Sequence, residues 1–190
     1  MDTISPNTDL QYDKVVELCT DVFSKKTQDY GTAWRVLRTI SIIDQIFIKA
    51  QRIRTIQENG EQKITDDTPT ELIGIINYAI IGLIQLRLDP SAPEELGVDQ
   101  AIALYKTHLV AAKELMRNKN HDYGEAWRNM SNESFIDLIM MKIQRIRQII
   151  KNEGRTIMSE GIESNYFDII NYAVFALIMI ENPQNSTETS

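Results

Sequence analysis

The sequence predicts an all-α fold in which two tandem helical repeats pack as a pseudo-twofold helical bundle. Three observations support this prediction. Apolar residues recur at helical spacing, and alternating β-branched stretches are few. The heptapeptide DYGTAWR at 29–35 returns as DYGEAWR at 122–128. The last apolar segment of each copy is hydrophobic nearly all round, which requires burial on several sides.

The duplication extends well beyond the heptapeptide. Other identical residues recur at the same offset as Asp29 and Asp122. They include Trp34 and Trp127, Asp44 and Asp137, Lys49 and Lys142, and Arg52 and Arg145. After one inserted residue, INYA at 76–79 recurs at 170–173. Two copies are too few for a solenoid, so a fused pseudo-dimer is expected.

The predicted boundaries follow from this repeat and from the acidic, proline-containing segment between the copies. They are repeat one at 10–88, a linker at 89–97, repeat two at 98–181, and disordered tails at 1–9 and 182–190. The helices expected in chain order are 10–26, 33–37, 41–58 and 70–88 in repeat one, and 98–118, 126–130, 134–152 and 162–181 in repeat two.

Local signals support several of these helix ends. Gly60 and Gly154 follow the third helix of each repeat, where glycine commonly ends a helix, and Pro69 fits the first turn of the next one. SIID at 41–44 and SFID at 134–137 have the S-x-x-[DE] form of a capping box. Asp44 and Asp137 are therefore expected to act as helix caps.

Composition limits the classes of partner. The chain has a formal charge of −7 and no run rich in Lys and Arg, so no extended nucleic acid is expected. A few local cations can still bind a small anion. Cys19 is the only cysteine, which suits a reducing compartment. No signal peptide is recognised. The two longest apolar runs are expected to be too short to span a bilayer, and each contains Asn. A soluble cytoplasmic protein without a membrane partner is expected, and the apolar last helix favours a homodimer.

A lysine interrupts an apolar stripe in both repeats. Positions 42, 46, 49, 53 and 56 read Ile, Ile, Lys, Ile and Ile, and positions 135, 139, 142, 146 and 149 read Phe, Ile, Lys, Ile and Ile. Burying an ammonium group without a partner is very costly. Lys49 and Lys142 therefore either extend to water along their aliphatic stems or form the cationic wall of a pocket for an anion. Arg52 and Arg145 lie close to the same face.

Asn77 and Asn171 repeat this pattern on the last helix, among aliphatic residues. A buried carboxamide needs hydrogen-bond partners. These asparagines either fix the register of the helix packing or contact a ligand.

Folding explains part of the heptapeptide. Asp29 and Asp122 could cap the short helix that follows, Gly31 and Gly124 allow unusual backbone angles, and the tryptophans would pack on neighbouring helices. Folding does not explain the retention of Tyr30 and Tyr123 or of Arg35 and Arg128. Because an aromatic ring can stack on a base and a guanidinium can hold phosphate, the heptapeptide is expected to fold and to bind.

With these residues, the chain resembles the nucleotide-modification-associated domain (type one) family, a domain of unknown function, in two tandem copies. The resemblance lies in KNHDYGEAW at 119–127, in the K-x-x-R spacing of Lys49 and Arg52 and its second copy, and in DIINYAVFAL at 168–177. It covers nearly the whole chain and implies a link to nucleotide metabolism.

A looser similarity extends to the all-α nucleoside triphosphate pyrophosphohydrolases, the MazG and dimeric dUTPase group. This similarity implies a phosphoanhydride substrate and Mg²⁺ held by an E-x-x-E pair and an E-x-x-D pair. Here the second pair is split, since Glu71 is followed by Gly74 and Asp168 is preceded by Asn165. The third helix of each repeat contains no E-x-x-E pair.

Three functions are therefore compared. The first is a Mg²⁺-dependent nucleoside triphosphate pyrophosphohydrolase-like enzyme, in which Asp122 and Asp168 bind the metal and the catalytic residues are unidentified. The second is a non-catalytic nucleotide-binding or regulatory protein, and the third is a purely structural module. In the first two, the partner is a nucleotide or other phosphate ligand. The expected binding residues are Tyr30, Arg35, Lys49, Arg52, Asn77, Tyr123, Arg128, Lys142, Arg145 and Asn171.

Overall fold

The computed structural model describes residues 6–60, 67–157 and 160–182, and the regular structure within these ranges is helical. The helices are α1 (Pro6–Tyr30), α2 (Thr39–Asn59), α3 (Thr68–Arg87), α4 (Val98–Tyr123), α5 (Asn132–Lys151) and α6 (Ile162–Glu181). Short 3₁₀ helices at Ala33–Val36 and Ala126–Asn129 follow α1 and α4. The all-α prediction is confirmed.

The two repeats share one hydrophobic core. Helices α3 and α6 pack against each other at its centre, α2 packs on α3, α5 packs on α6, and α2 also contacts α5. Helices α1 and α4 contact each other and both central helices. The residues that α3 and α6 bury are mostly aliphatic, and each fully buried Ile or Leu stabilises the fold by about 1.5–3 kcal/mol.

Buried asparagines link the repeats reciprocally. The Tyr12 hydroxyl of repeat one donates to Asn171 Oδ1 of repeat two at 2.8 Å. The Tyr105 hydroxyl of repeat two donates to Asn77 Oδ1 of repeat one at 2.5 Å. The amide nitrogens of Asn171 and Asn77 donate to main-chain carbonyls of α4 and α1, at 3.1 and 3.4 Å. Because a shift of either helix would break these bonds, the asparagines fix the register of the packing.

The predicted capping boxes are wrong. Helix α2 begins at Thr39 and α5 at Asn132, so the serines of both S-x-x-D patterns lie inside the helices. Asp44 instead accepts a hydrogen bond from Arg147 of the other repeat at 2.9 Å. Asp137 faces Arg54 across the same boundary at 3.9 Å. These acids support contact between the repeats.

The first helix of each repeat is longer than predicted. It continues through Tyr30 in α1 and Tyr123 in α4, so Asp29 and Asp122 lie in the last turns of these helices. They are not caps of the 3₁₀ helices, which is a further correction. The unusual backbone angle expected at Gly31 is present, with φ of 59°. Gly60 ends α2 and Pro69 lies in the first turn of α3, as predicted.

One helix in the described part of the chain, α3, is long and apolar enough to cross a bilayer by length and composition alone. Helix α3 extends beyond the apolar run at 72–86 on both sides, so length alone does not exclude a membrane span. In its most apolar window, 61% of the helix is buried inside the bundle, as in the core helix of a globular protein. Residues 6–9, predicted as part of a tail, are helical. The predicted tail segments 1–5 and 183–190 lie outside the described residues.

Candidate functional site

In repeat one, two cations of α2 meet one carboxylate of α3. The Lys49 ammonium lies 3.1 Å from Glu71 Oε2, and Arg52 donates to Glu71 Oε1. Glu71 is buried, and both cations are only partly exposed. The lysine of the apolar stripe therefore has an ionic partner.

In repeat two, two lysines enclose one carboxylate. Asp168 of α6 accepts from Lys119 of α4 at 2.5 Å and from Lys142 of α5 at 2.6 Å. Lys142 and Asp168 are both buried. Desolvation lowers the pKa of Lys119, but the hydrogen bond and the charge of Asp168 outweigh it and raise this pKa above its ordinary value. Asp168 therefore holds Lys119 as an ammonium ion.

The paired carboxylate stands one helical turn later in repeat two than in repeat one, when equivalent positions of α3 and α6 are compared. Glu71 of α3 corresponds to Asn165 of α6, and Gly74 of α3 corresponds to Asp168 of α6. A Cβ atom added to Gly74 would lie 2.7 Å from Cε and 3.1 Å from Nζ of Lys49. The Lys49 side chain therefore lies directly over the glycine, in the space that a side chain on α3 would fill.

A cavity of about 650 Å³ opens beside this lysine in repeat one. It lies between α1, the first 3₁₀ helix, α2 and α3, and its volume is in the range of small-molecule sites. The aromatic residues that line it are Phe23, Tyr30, Trp34 and Tyr78, and the charged ones are Lys26, Lys49 and Glu71. The Trp34 indole N–H is buried without an acceptor among the described residues.

Three predicted binding residues line this cavity: Tyr30, Lys49 and Asn77. Tyr30 is largely exposed, at 71%. Arg52 reaches the site through its bond to Glu71. Asn77 also lines the cavity, but its carboxamide is already engaged. The oxygen accepts from the Tyr105 hydroxyl, and the nitrogen donates to the main-chain carbonyl of Cys19 in α1.

The arginines of the heptapeptides lie away from the cavity and hold neighbouring chain segments. Arg35 donates to the main-chain carbonyls of Ala92 at 3.1 Å and Pro93 at 3.2 Å, in the linker. Arg128 donates to Thr8 at 2.6 Å and Gln11 at 2.8 Å, at the start of α1. Arg35 therefore holds the linker that leads into α4, and Arg128 holds the first turns of α1.

The remaining predicted residues of repeat two are dispersed. Tyr123 is 76% exposed, and Asn171 is engaged in the core by Tyr12. Arg145 lines a separate, more open cavity of about 880 Å³, together with Asn165. The Trp127 ring stacks on Phe175 with 4.3 Å between ring centroids, and the guanidinium carbon of Arg128 lies 4.3 Å from the same ring's centroid.

The residues proposed as metal ligands do not fit a Mg²⁺ site. The Asp122 side chain is 74% exposed and lies beside His121, whereas Asp168 is enclosed by two ammonium groups. Across the described ranges, no group of three or more His, Cys, Asp or Glu residues is arranged to hold a metal ion. A cation at Asp168 would have to displace both lysines.

The sequence reasoning did not assign Lys26, Trp34 or Gly74 to the binding site. A signal for Lys26 was present, because it recurs as Lys119 at the spacing of the other pairs. A signal for Gly74 was present as well, because this glycine stands where the E-x-x-D pair of the pyrophosphohydrolases would have its Asp. Trp34 was expected only to pack, since a sequence does not show which face of a ring is left uncovered.

A family model described as nucleotide modification associated domain 1 matches residues 26–86 and 119–180. The two segments begin at the equivalent residues Lys26 and Lys119 and together span more than half of the chain. Each contains one heptapeptide and one final apolar helix. No curated protein and no solved structure matches the chain.

Proposed function

We propose that this chain, which belongs to the nucleotide modification associated domain 1 family, binds a nucleotide in the cavity of repeat one without consuming it. The observation that supports the proposal is the composition of that cavity. It combines aromatic side chains with two lysines in a space of about 650 Å³.

Each part of the cavity suits one part of a nucleotide. The rings of Tyr30, Trp34 and Tyr78 offer flat apolar surfaces, on which any base can stack with about 1–3 kcal/mol per contact. Lys26 and Lys49 place positive charge at the same site, and ammonium groups form strong hydrogen bonds to phosphate oxygens. A nucleotide is the ligand class that would use both features together.

Binding is proposed in preference to hydrolysis because of the carboxylates. A pyrophosphohydrolase of the type that the looser similarity implies would use clustered acids to hold Mg²⁺ near the phosphates. Here Glu71 is paired with Lys49 and Arg52, and Asp168 is paired with two lysines. These carboxylates neutralise neighbouring cations, which is a structural task.

The two tryptophans of the chain allow the proposal to be tested by fluorescence. In Trp127→Phe the remaining Trp34 lines the cavity, and in Trp34→Phe the remaining Trp127 is covered by Phe175 and Arg128. Both variants would be titrated with the common ribonucleotides and deoxyribonucleotides. We expect a nucleotide to change the emission of Trp127→Phe and to leave that of Trp34→Phe unchanged.

Two further measurements complete the test. A bound nucleotide at 100 times its Kd should stabilise the fold by about 2.7 kcal/mol, which is visible as a raised Tm. Chromatography of the same samples after incubation with Mg²⁺ should recover the nucleotide intact. No emission change and no rise in Tm across the whole panel would refute nucleotide binding, and released phosphate or pyrophosphate would show that the protein is an enzyme.

A further inference from the structure

Resting on the proposed function, we infer that the ligand carries a single phosphate group, which occupies in repeat one the place that the Asp168 carboxylate occupies in repeat two. The ligand class is then a nucleoside monophosphate. One molecule binds per chain, because repeat two supplies its own anion.

Repeat two defines the geometry of the anion position. Asp168 projects from α6 and receives Lys119 from α4 and Lys142 from α5, at 2.5 and 2.6 Å. One group with two oxygens thus joins two ammonium groups from separate helices. A phosphate group presents the same kind of oxygen acceptors and is bridged by lysines in the same way.

Repeat one retains both lysines and lacks the carboxylate. Lys26 and Lys49 stand at the positions of Lys119 and Lys142, and Gly74 replaces Asp168. Glu71, one turn earlier on α3, is paired with Lys49 and with Arg52. Lys26 has no ion-pair partner within the described ranges, although it lines the cavity.

Gly74 places no side chain of its own at the anion position. Lys26, Lys49 and Gly74 all line the same cavity. Lys49 Cε lies 2.7 Å and its nitrogen 3.1 Å from the point where a Cβ atom of residue 74 would stand, so the flexible end of Lys49 covers this position and brings its ammonium there. An oxygen of the ligand placed beside Gly74 would contact Lys49 without any change in the backbone.

The charge of the site favours one phosphate over three. A phosphate monoester carries about −1.5 to −2 charges at neutral pH, and the site offers it two lysines, of which Lys49 is shared with Glu71. A triphosphate carries more negative charge and is usually bound together with Mg²⁺. The part of the chain that the structure describes offers no acidic cluster to hold that ion.

The aromatic residues indicate why only one repeat would bind. Phe175 stacks on Trp127 in repeat two with an interplanar angle of 5°, and Arg128 also covers this ring. At the position of Phe175, repeat one has Ile81, which lines the cavity together with Trp34. A base could therefore stack on Trp34, whereas the equivalent face of Trp127 is already occupied.

Isothermal titration calorimetry with nucleoside 5′-monophosphates tests this inference, with the matching nucleosides and triphosphates as comparisons in Mg²⁺-free buffer. We expect one site per chain, and a monophosphate bound at least tenfold more tightly than its nucleoside or its triphosphate. Lys26→Gln should reduce the affinity for the monophosphate towards that for the nucleoside. Lys119→Gln, the matched change in repeat two, should leave both affinities unaltered.

Gly74→Asp is the decisive variant, because it gives repeat one the carboxylate of repeat two. It should fold, since only the flexible end of Lys49 has to move, and it should lose monophosphate affinity at least tenfold more than the neutral Gly74→Asn variant. Undiminished binding by Gly74→Asp, two sites per chain, or a triphosphate bound as tightly as the monophosphate would overturn the inference while leaving nucleotide binding intact. Absence of binding by any nucleotide would overturn the proposed function itself.

Discussion

Three buried tyrosines differ in what their hydroxyl groups contact. Tyr12 and Tyr105 donate to asparagines of the opposite repeat. The Tyr166 hydroxyl has no hydrogen-bond partner within the described part of the chain, and its ring lies against Gly82. Burial raises the pKa of all three phenols, so each remains protonated at neutral pH. A buried polar atom without a partner costs about 1–3 kcal/mol.

Replacing single tyrosines by phenylalanine should separate these two situations. Tyr12→Phe removes the donor to Asn171 Oδ1, so we expect a loss of about 1–3 kcal/mol in the free energy of unfolding. Tyr166→Phe removes an unpartnered hydroxyl and should be neutral or stabilising. Urea unfolding followed by circular dichroism measures both. Equal losses in the two variants would contradict this account of the cross-repeat bond.

Residue patterns predicted which side chains need partners, and packing determined the partners. The apolar stripe around Lys49 and Lys142 indicated that an ammonium would be buried. The carboxylates that pair with these lysines belong to other helices and differ between the repeats, at Glu71 and Asp168. No periodicity within one helix could have identified them, since the pairing depends on how neighbouring helices face each other.

At the scale of elements, the helices were predictable and several of their ends were not. Apolar spacing locates the six α-helices of the described ranges, because burial of their apolar surface stabilises each of them. The S-x-x-D pattern misplaced two helix starts, since Asp44 and Asp137 instead face arginines of the other repeat. The residues just before Gly31 are helical although they do not continue the apolar spacing of α1. The end of α1 was therefore predicted too early.

The heptapeptide arginines give a prediction about these elements. Arg128→Gln should loosen the start of α1, because Thr8 and Gln11 lose a shared charged donor. Arg35→Gln should loosen the linker at 89–97, where two carbonyls lose their donors. Hydrogen exchange with mass spectrometry should show faster exchange confined to the corresponding peptide in each variant.

Arg54→Gln is the control for this experiment. Its partners are Glu58 on the same helix at 3.2 Å and Asp137 at 3.9 Å, and all three side chains are substantially exposed, so its loss should change neither segment. The arginines would not hold these segments if all three variants showed the same exchange pattern as the unmodified protein.

The whole molecule is a duplication whose halves differ at the positions of the proposed binding site. Self-similarity of the sequence predicted the pseudo-twofold arrangement, since equivalent segments fold alike. The cavity was not predictable, because it is bounded by four elements whose approach depends on the packed core. The presence of Gly74 at the position equivalent to Asp168 was visible in the sequence, but not that Lys26, Lys49 and Gly74 line one cavity.

The shared core also makes a prediction about alkaline stability, centred on Cys19. This thiol is buried between the repeats, and burial raises its pKa from the ordinary value of 9.0 to about 12. Between these values the unfolded chain loses the thiol proton and the folded chain keeps it. The folded state then binds one more proton, so stability falls as pH rises above about 9, by at most about 1.4 kcal/mol per pH unit.

Cys19→Ala isolates this contribution. The equivalent residue of repeat two is Ala112, so the substitution has a precedent within the same fold. The buried tyrosines titrate from an ordinary pKa of 10.0, and Lys119 loses its contribution only above its ordinary 10.5. Because these groups are present in both proteins, the difference between the two stability curves from pH 9 to 10 isolates the contribution of Cys19. Urea unfolding under reducing conditions should show a decline across this interval that is smaller in Cys19→Ala. Parallel curves for the two proteins would mean that the thiol is not held protonated by the core.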